Sequence, residues 1–217
     1  MTAEPAESSA GPEVTRAEVT RAEVIARARE IAPRLRQRAP QAEEERCVPL
    51  ATIDDYRQTG LIRMIQPKRY GGQEMGWGVL CEITEILAAA CGSQAWIQRI
   101  CTGHAQILAT FPPEAQEDVW GNDHDVLISA AFDPVGRARA VDGGYIFSGR
   151  HGFSSGIDHC DWHICGGFVE EGTPSTGPSS SWCRGAISRS STIGTPWRCA
   201  APGPRASWSR TPSPWST

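Results

Sequence analysis

From Thr173 to Thr217 the chain contains no Asp, Glu or Lys, although 25 acidic residues precede that point. Its last stretch, SSSWCRGAISRSSTIGTPWRCAAPGPRASWSRTPSPWST, also lacks Leu, Val, Phe, Tyr and Met, yet holds four of the eight Trp. Ser and Pro dominate it, and that composition excludes an ordinary packed core. So many Trp equally exclude an ordinary disordered segment, which is poor in aromatics. Other absences are simpler. No apolar run approaches the ~20 residues that cross a bilayer. The opening, MTAEPAESSAGPEV, is acidic and polar and does not read as a secretory signal. A soluble, cytoplasmic chain without membrane contact is expected. No C-x-x-C pair occurs among Cys47, Cys81, Cys91, Cys101, Cys160, Cys165, Cys183 and Cys199. A disulfide framework is therefore not expected. Cys81, Cys91 and Cys101 sit in helix-like apolar patterns and read as small buried hydrophobes.

What is present supports one domain or one and a half: 217 residues, 40% of them hydrophobic. A formal charge of −4 gives no reason to expect nucleic acid. The charge is uneven, −9 over residues 1–172 and +5 beyond. TRAEV occurs twice, too short a repeat for a solenoid. Val14, Val19, Val24, Ile25, Ile31 and Leu35 form a helical stripe among Glu/Arg pairs, predicting an amphipathic first helix with a frayed start. PLATIDDYRQTGLIRM predicts a helix ending near Gly60. GVLCEITEILAAACG predicts a helix stopped by Gly92. Ser93 then suits the N-cap of QAWIQRICTGHAQILATF. PPEAQEDVWG predicts a last helix, with Pro113 and Glu114 in its first turn and Gly121 after its end.

After Gly121 the period changes. DVLISAAF, RARAVDGGYIFSGRHGF and CDWHICGGFVEE read as short strands, with VDGGY as a hairpin turn. Helices followed by strands predict an α+β arrangement. The boundaries read as a frayed N-terminus over 1–20, a helical domain over 21–121, the start of a β domain over 122–172, and an irregular tail over 173–217.

The stretch SGRHGFSSGIDHCDWHICGG carries the chemistry. Phe153-Ser154-Ser155-Gly156 is a small polar turn that offers N–H groups and hydroxyls to a flat, acceptor-rich ligand. Spacing alone favours a plain tight turn. YGG at 70–72, ACGSQAW at 90–96 and VDGGYIFSGRHGFSSGIDHCDW at 141–162 together resemble the oxygenase components of two-component flavin-dependent monooxygenases, which share the acyl-CoA dehydrogenase fold. The resemblance covers roughly residues 20–172.

The resemblance implies N-terminal helices, a central β domain and a C-terminal four-helix bundle. It implies a separate flavin reductase delivering FMNH2 or FADH2, reaction with O2 to a flavin C4a-hydroperoxide, and hydroxylation of a small aromatic substrate, phenolic or polyketide-type. Such a site holds flavin by fixed donors and keeps water out. Ser154, Ser155 and Gly156 match the turn against the flavin ring near N5, and Ser129 and Ala130 match the strand on its other edge. His104 matches a helical His that lines the substrate pocket, where an imidazole titrating near ~6.5 suits proton transfer. Trp96, two turns earlier, suits a wall of the same pocket. The spacing of Ile100, Ile107 and Leu108 equally suits a core-facing His104, and Trp96 equally suits the core. Arg150 and His151 depart from the family's aromatic or small residues. His159 and His163 stand four apart near Asp158, Cys160, Asp161 and Cys165. On one strand they would lie ~13 Å apart, too far for one ion, so no metal site is expected.

The family pattern continues with FL.VPRSD(Y/F)E, D.W…GLRGTGS and V..D.FVP, none of which follows residue 172. Reverse-translated and read in another frame, Ser181–Ile187 permits Val-Val-Pro-Arg-Ser-Asp, and Pro196–Pro204 permits Met-Ala-Leu-Arg-Gly-Thr-Gly-Ser. Ile193–Thr195 permits Trp-Asp-Thr between them. The tail thus reads as a frameshifted translation of a G+C-rich gene, with the shift near Gly172. On that reading the bundle that would complete the flavin pocket and the homotetramer of the full-length family is missing, and activity is impaired. An acyl-CoA dehydrogenase-type oxidoreductase and a non-enzymatic remnant remain the alternatives.

Overall fold

Helix α1 (Arg21–Glu45) starts at a reciprocal cap: Thr20 Oγ1 accepts from Glu23 N at 3.3 Å, and Glu23 Oε2 accepts from Thr20 N at 2.7 Å. Such a box satisfies two of the N–H groups that every helix start leaves open. The structure is a computed structural model that describes residues 19–141, 144–169, 182–189 and 197–199. Val14, the start of the expected stripe, lies outside these. Val24, Ile25, Ile31 and Leu35 are buried along α1 as their spacing predicts. Pro33 and Pro40 lie inside the helix without ending it.

Helix α2 (Leu50–Thr59) ends at Gly60, whose φ of 71° closes the last turn. Helix α3 (Trp77–Ala88) stops earlier than expected: Ala89 and Ala90 close it, and Gly92 opens the next helix instead. Helix α4 (Gly92–Leu108) is preceded by Cys91 in extended backbone and has no side-chain cap. Ser93 therefore sits in its first turn, not at its N-cap. Helix α5 (Pro113–Trp120) has Pro113 and Glu114 in its first turn.

The helices bury one another's apolar faces. Ala28, Ile31 and Leu35 of α1, Ile53 and Tyr56 of α2, Ile83 and Leu87 of α3 and Ala95 of α4 form one cluster. Each large apolar side chain so buried contributes roughly 1.5–3 kcal/mol. Polar groups inside are paired. Gln94 of α4 accepts from Thr52 Oγ1 at 2.6 Å and donates to the Leu35 carbonyl at 2.8 Å, joining three helices. Asp55, buried on α2, receives Arg34 at 2.8 Å and Arg38 at 2.6 Å from α1.

A five-stranded sheet follows, in the order β4-β3-β1-β2-β5. Its strands are β1 (Ile128–Val141), β2 (Gly144–Ser148), β3 (Trp162–Val169), β4 (Trp182–Arg189) and β5 (Trp197–Cys199). β1 and β2 form an antiparallel hairpin, Val141 opposite Gly144. The VDGGY turn itself lies at 142–143, outside the described residues. β1 and β3 run parallel, with a register shift between Ala131 and Gly136. Two separately expected strands are thus one long irregular β1. β4 and β5 fall within the range read as irregular from composition. Their ladders to β3 and β2 are backbone hydrogen bonds, which need register and not apolar side chains. A second cluster, with Leu108, Trp120, Ile128, Trp162 and Ile164, joins the end of α4 and α5 to the sheet.

The cysteines divide. Cys101, Cys160 and Cys165 are buried, as small hydrophobes should be, but Cys91 is half-buried and Cys81 is exposed on α3. Cys81 misses the core because Leu80, Ile83 and Leu87 hold the buried face of that helix. Among the described residues no helix is long and apolar enough to cross a membrane.

Candidate functional site

The site is built where α4 meets the connection between β2 and β3. That connection holds Phe153-Ser154-Ser155-Gly156, a turn between two strands as its residues predict. Gly156 has φ +77°, and a Cβ there would stand 3.2 Å from Cys101 Sγ on α4. The turn can lie this close to the helix because Gly156 has no side chain. One step away, Trp96 Nε1 of α4 donates to Ser155 Oγ at 3.1 Å. Trp96 is 51% exposed and Phe153 79% exposed. Both line an open hollow of about 910 Å³, together with Ser154, Ser155, Cys47 and His159. The exposed Trp96 is thus not a core residue.

Ser154 Oγ donates to the Ala130 carbonyl at 3.1 Å, which fixes the turn on β1. Ser129, by contrast, is fully buried. Its Oγ lies 2.8 Å from His163 Nδ1 and 3.4 Å from the Trp162 carbonyl. The parallel register puts Ser129 directly opposite His163. Ser129 therefore stands behind the turn and supports it, and is not exposed to the hollow.

His104 is buried, and its Nδ1 donates to the Ile128 carbonyl at 2.8 Å. Its ring meets Phe132 edge-on, centroids 5.9 Å apart. Burial holds its pKa below the ordinary value, partly offset by the carbonyl it donates to. A neutral ring with its proton on Nδ1 leaves Nε2 as a bare acceptor. His163 is pushed down to about 4, first by burial and then by His151 and His104. His151 stands edge-on to it at 6.0 Å.

The sequence weighed His163 only as a partner of His159, and the structure separates them. His159 closes a single 3-10 turn and meets Cys47 at 3.5 Å, while His163 lies in β3. The assumption that both share one strand fails because the strand begins only at Trp162. Among the described residues no three His, Cys, Asp or Glu side chains gather where they could hold a metal ion. The partnership of His163 with Ser129 is not legible in the sequence, since nothing local marks the pairing of positions 34 apart.

Comparison with known proteins gives the context. Residues 19–123 match the acyl-CoA dehydrogenase N-terminal domain. The chain is 40% identical over 143 residues to the flavin-dependent monooxygenase oxygenase subunit HsaA of Rhodococcus jostii, covering 65% of this chain and 37% of that one. It is 37% identical over 142 residues to the oxygenase component of the FADH2-dependent resorcinol hydroxylase of a Rhizobium species, covering 65% and 35%. XiaF from a Streptomyces species, solved in complex with FADH2 and glycerol, superposes with a TM-score of 0.70 at 26% identity, over 78% of this chain and 42% of that one. The matched region is well under half the length of each of these relatives.

Proposed function

We propose, from the premise that this chain belongs with the oxygenase subunits of flavin-dependent monooxygenases, that α4 and the 153–156 turn form one wall of a reduced-flavin site used in hydroxylating an aromatic substrate. The observation that carries the reading is the Trp96–Ser155 hydrogen bond beside the exposed Phe153. It brings two aromatic side chains and a polar turn around one hollow, and the absence of a Cβ at Gly156 lets that turn lie against α4. These residues fit a planar, polar-edged ring. Ser154, Ser155 and Gly156 would hold it, with Ala130 beneath and Ser129 as support. When bound, reduced flavin supplies the oxygen-activating chemistry.

The chain's own residues supply the rest. Trp96 and Phe153 offer apolar surface that excludes water from the ring. His104, held by Ile128, is buried and does not line the hollow; its Nε2 would accept a proton from a phenol seated between α4 and β1, which raises the electron density of the aromatic ring. A flavin reductase is the partner that delivers the reduced cofactor, and the substrate class is a small phenol. The dehydrogenase alternative shares this fold and differs in what it oxidises.

Anaerobic fluorescence titration of the purified chain with FMNH2 and FADH2 tests the site. Turnover with a reductase, O2 and a panel of phenols then tests the activity. Saturable binding and a hydroxylated product support the reading. Absence of binding to either reduced flavin overturns it.

A further inference from the structure

We propose that Cys101 and Cys160 are a redox pair, which a small peroxide joins in a disulfide that fastens the serine turn to α4. The inference goes beyond the flavin reading and does not depend on it. Cys101 lies on α4, and Cys160 directly follows the 3-10 turn Ile157–His159. They are 59 positions apart in the chain, yet their Sγ atoms stand 3.6 Å apart. Both thiols are free, and both are buried, 4% and 6% exposed. A disulfide bond of about 2 Å asks the two sulfurs to approach by about 1.5 Å, within reach of side-chain rotation. The spacing of the cysteines does not mark this pair, because only the folding of the turn onto α4 brings them together.

The chemistry balances with a peroxide as the oxidant. Gly156 lines the hollow, and Cys101 Sγ is 3.2 Å from where a Cβ of that glycine would stand. Cys101 thus packs directly on a residue of the hollow's wall, and is the sulfur that a small oxidant entering there meets first. Its thiolate attacks one peroxide oxygen, the O–O bond breaks, and hydroxide departs, leaving Cys101 as a sulfenic acid. The Cys160 sulfur then attacks the Cys101 sulfur, forming the S–S bond and releasing a second hydroxide. The two thiol protons turn these hydroxides into water, so two thiols lose two electrons and one peroxide gains them. The Cys160 thiol is pushed up, first by its hydrogen bond with Cys101 and then by burial. The pair therefore stays reduced until a peroxide is present, and it reacts faster as pH rises. The bond would act on a contact that is now weak. Trp96 Nε1 holds Ser155 Oγ at 3.1 Å, and Ile97 and Cys101 pack on Gly156. The disulfide adds a covalent tie five residues further along both segments, from Trp96 to Cys101 and from Ser155 to Cys160.

Peptide mapping of the full chain tests this without any flavin. The purified, reduced chain is treated with hydrogen peroxide, alkylated under denaturing conditions, digested and analysed by mass spectrometry. A linked peptide pair carrying Cys101 and Cys160 is expected, and dithiothreitol should return both to free thiols. Its rate of formation should rise about tenfold per pH unit between pH 7 and 9, as the thiolate fraction does. Closing so long a loop should raise Tm by about 5 °C or more. Cys101→Ser and Cys160→Ser should each abolish the link and the gain in Tm. Cys165→Ser, which removes another buried thiol, should keep both. The inference is overturned if Cys101 and Cys160 stay free, or if either is oxidised further without a link. Crosslinks scattered over the other cysteines, as an unfolded chain would give, overturn it as well. A Cys101–Cys160 link that leaves Tm unchanged overturns the fastening of the turn. None of these results touches the flavin reading, which stands or falls on the reduced-flavin titration.

Discussion

The imidazole of His104 is tied to the carbonyl of Ile128 at 2.8 Å, so the helix that carries the proposed proton acceptor is fixed to the strand beneath the site. Replacing it separates structure from chemistry. His104→Asn keeps a side-chain N–H for the carbonyl, whereas His104→Ala leaves the carbonyl without that donor. Urea unfolding should show a loss of about 1–2 kcal/mol for Ala and less for Asn. Hydroxylation should fall about 100-fold in both, since neither offers a base. Reduced-flavin affinity should stay within about twofold.

Stability should fall on mild acidification. His163 has its pKa pushed from 6.5 down to about 4, mainly by burial, and His104 and His151 are lowered in the same direction for the same first cause. In the unfolded chain these rings take up a proton near their ordinary value, while in the folded chain they resist it. The unfolded state therefore binds more protons between the two values. Stability is fully present above about pH 6.5 and is lost as pH falls toward about 4, by up to about 3 kcal/mol for His163 alone. Denaturant midpoints measured from pH 4 to 8 check this, and His163→Phe should flatten the slope.

Asp55 is 6% exposed and is paired by Arg34 and Arg38. Asp55→Ala strands two cations beside a buried gap and should destabilise the helical part by about 2–4 kcal/mol. Arg38→Ala should cost more than Arg34→Ala, since Arg34 is the more exposed of the two. A double-mutant cycle in thermal unfolding measures each coupling.

Gly156→Ala places a side chain at φ +77° and 3.2 Å from Cys101 Sγ. A loss of about 1–2 kcal/mol is expected from the backbone alone. Reduced-flavin affinity should fall more than stability does, because the turn must lift from α4. Cys101→Ala in the same background should recover part of it.

The helical half was legible because its information is local. Ile31 and Leu35 repeat at the helical period, Gly60 ends α2 by its own conformational freedom, and Pro113 marks a first turn. Thr20 and Glu23 form a capping box that the residue types also spell out. The serine turn was legible through its resemblance to a family motif. The support behind it was not. Ser129 reads as a ligand-facing residue until the parallel pairing with β3 buries it against His163. Pairing across such separations depends on register, which no short window contains. Gly92 misled for a related reason: a glycine after a helix and a glycine before one look alike until Cys91 is seen extended.

Ile128 and Ser129 are consecutive, and each holds one histidine, the first by its carbonyl and the second by its hydroxyl. A slip of β1 by a single residue would release both rings at once, so this strand has no spare alignment at its first residues. Past Ala131 the pairing is already broken, and it resumes at Gly136. Length changes in this chain should therefore be absorbed within 132–135, where Phe132 and Val135 are exposed, and be rejected upstream. The irregularity acts as an expansion joint, isolating the histidine-bearing end from whatever varies at the far end of the hairpin.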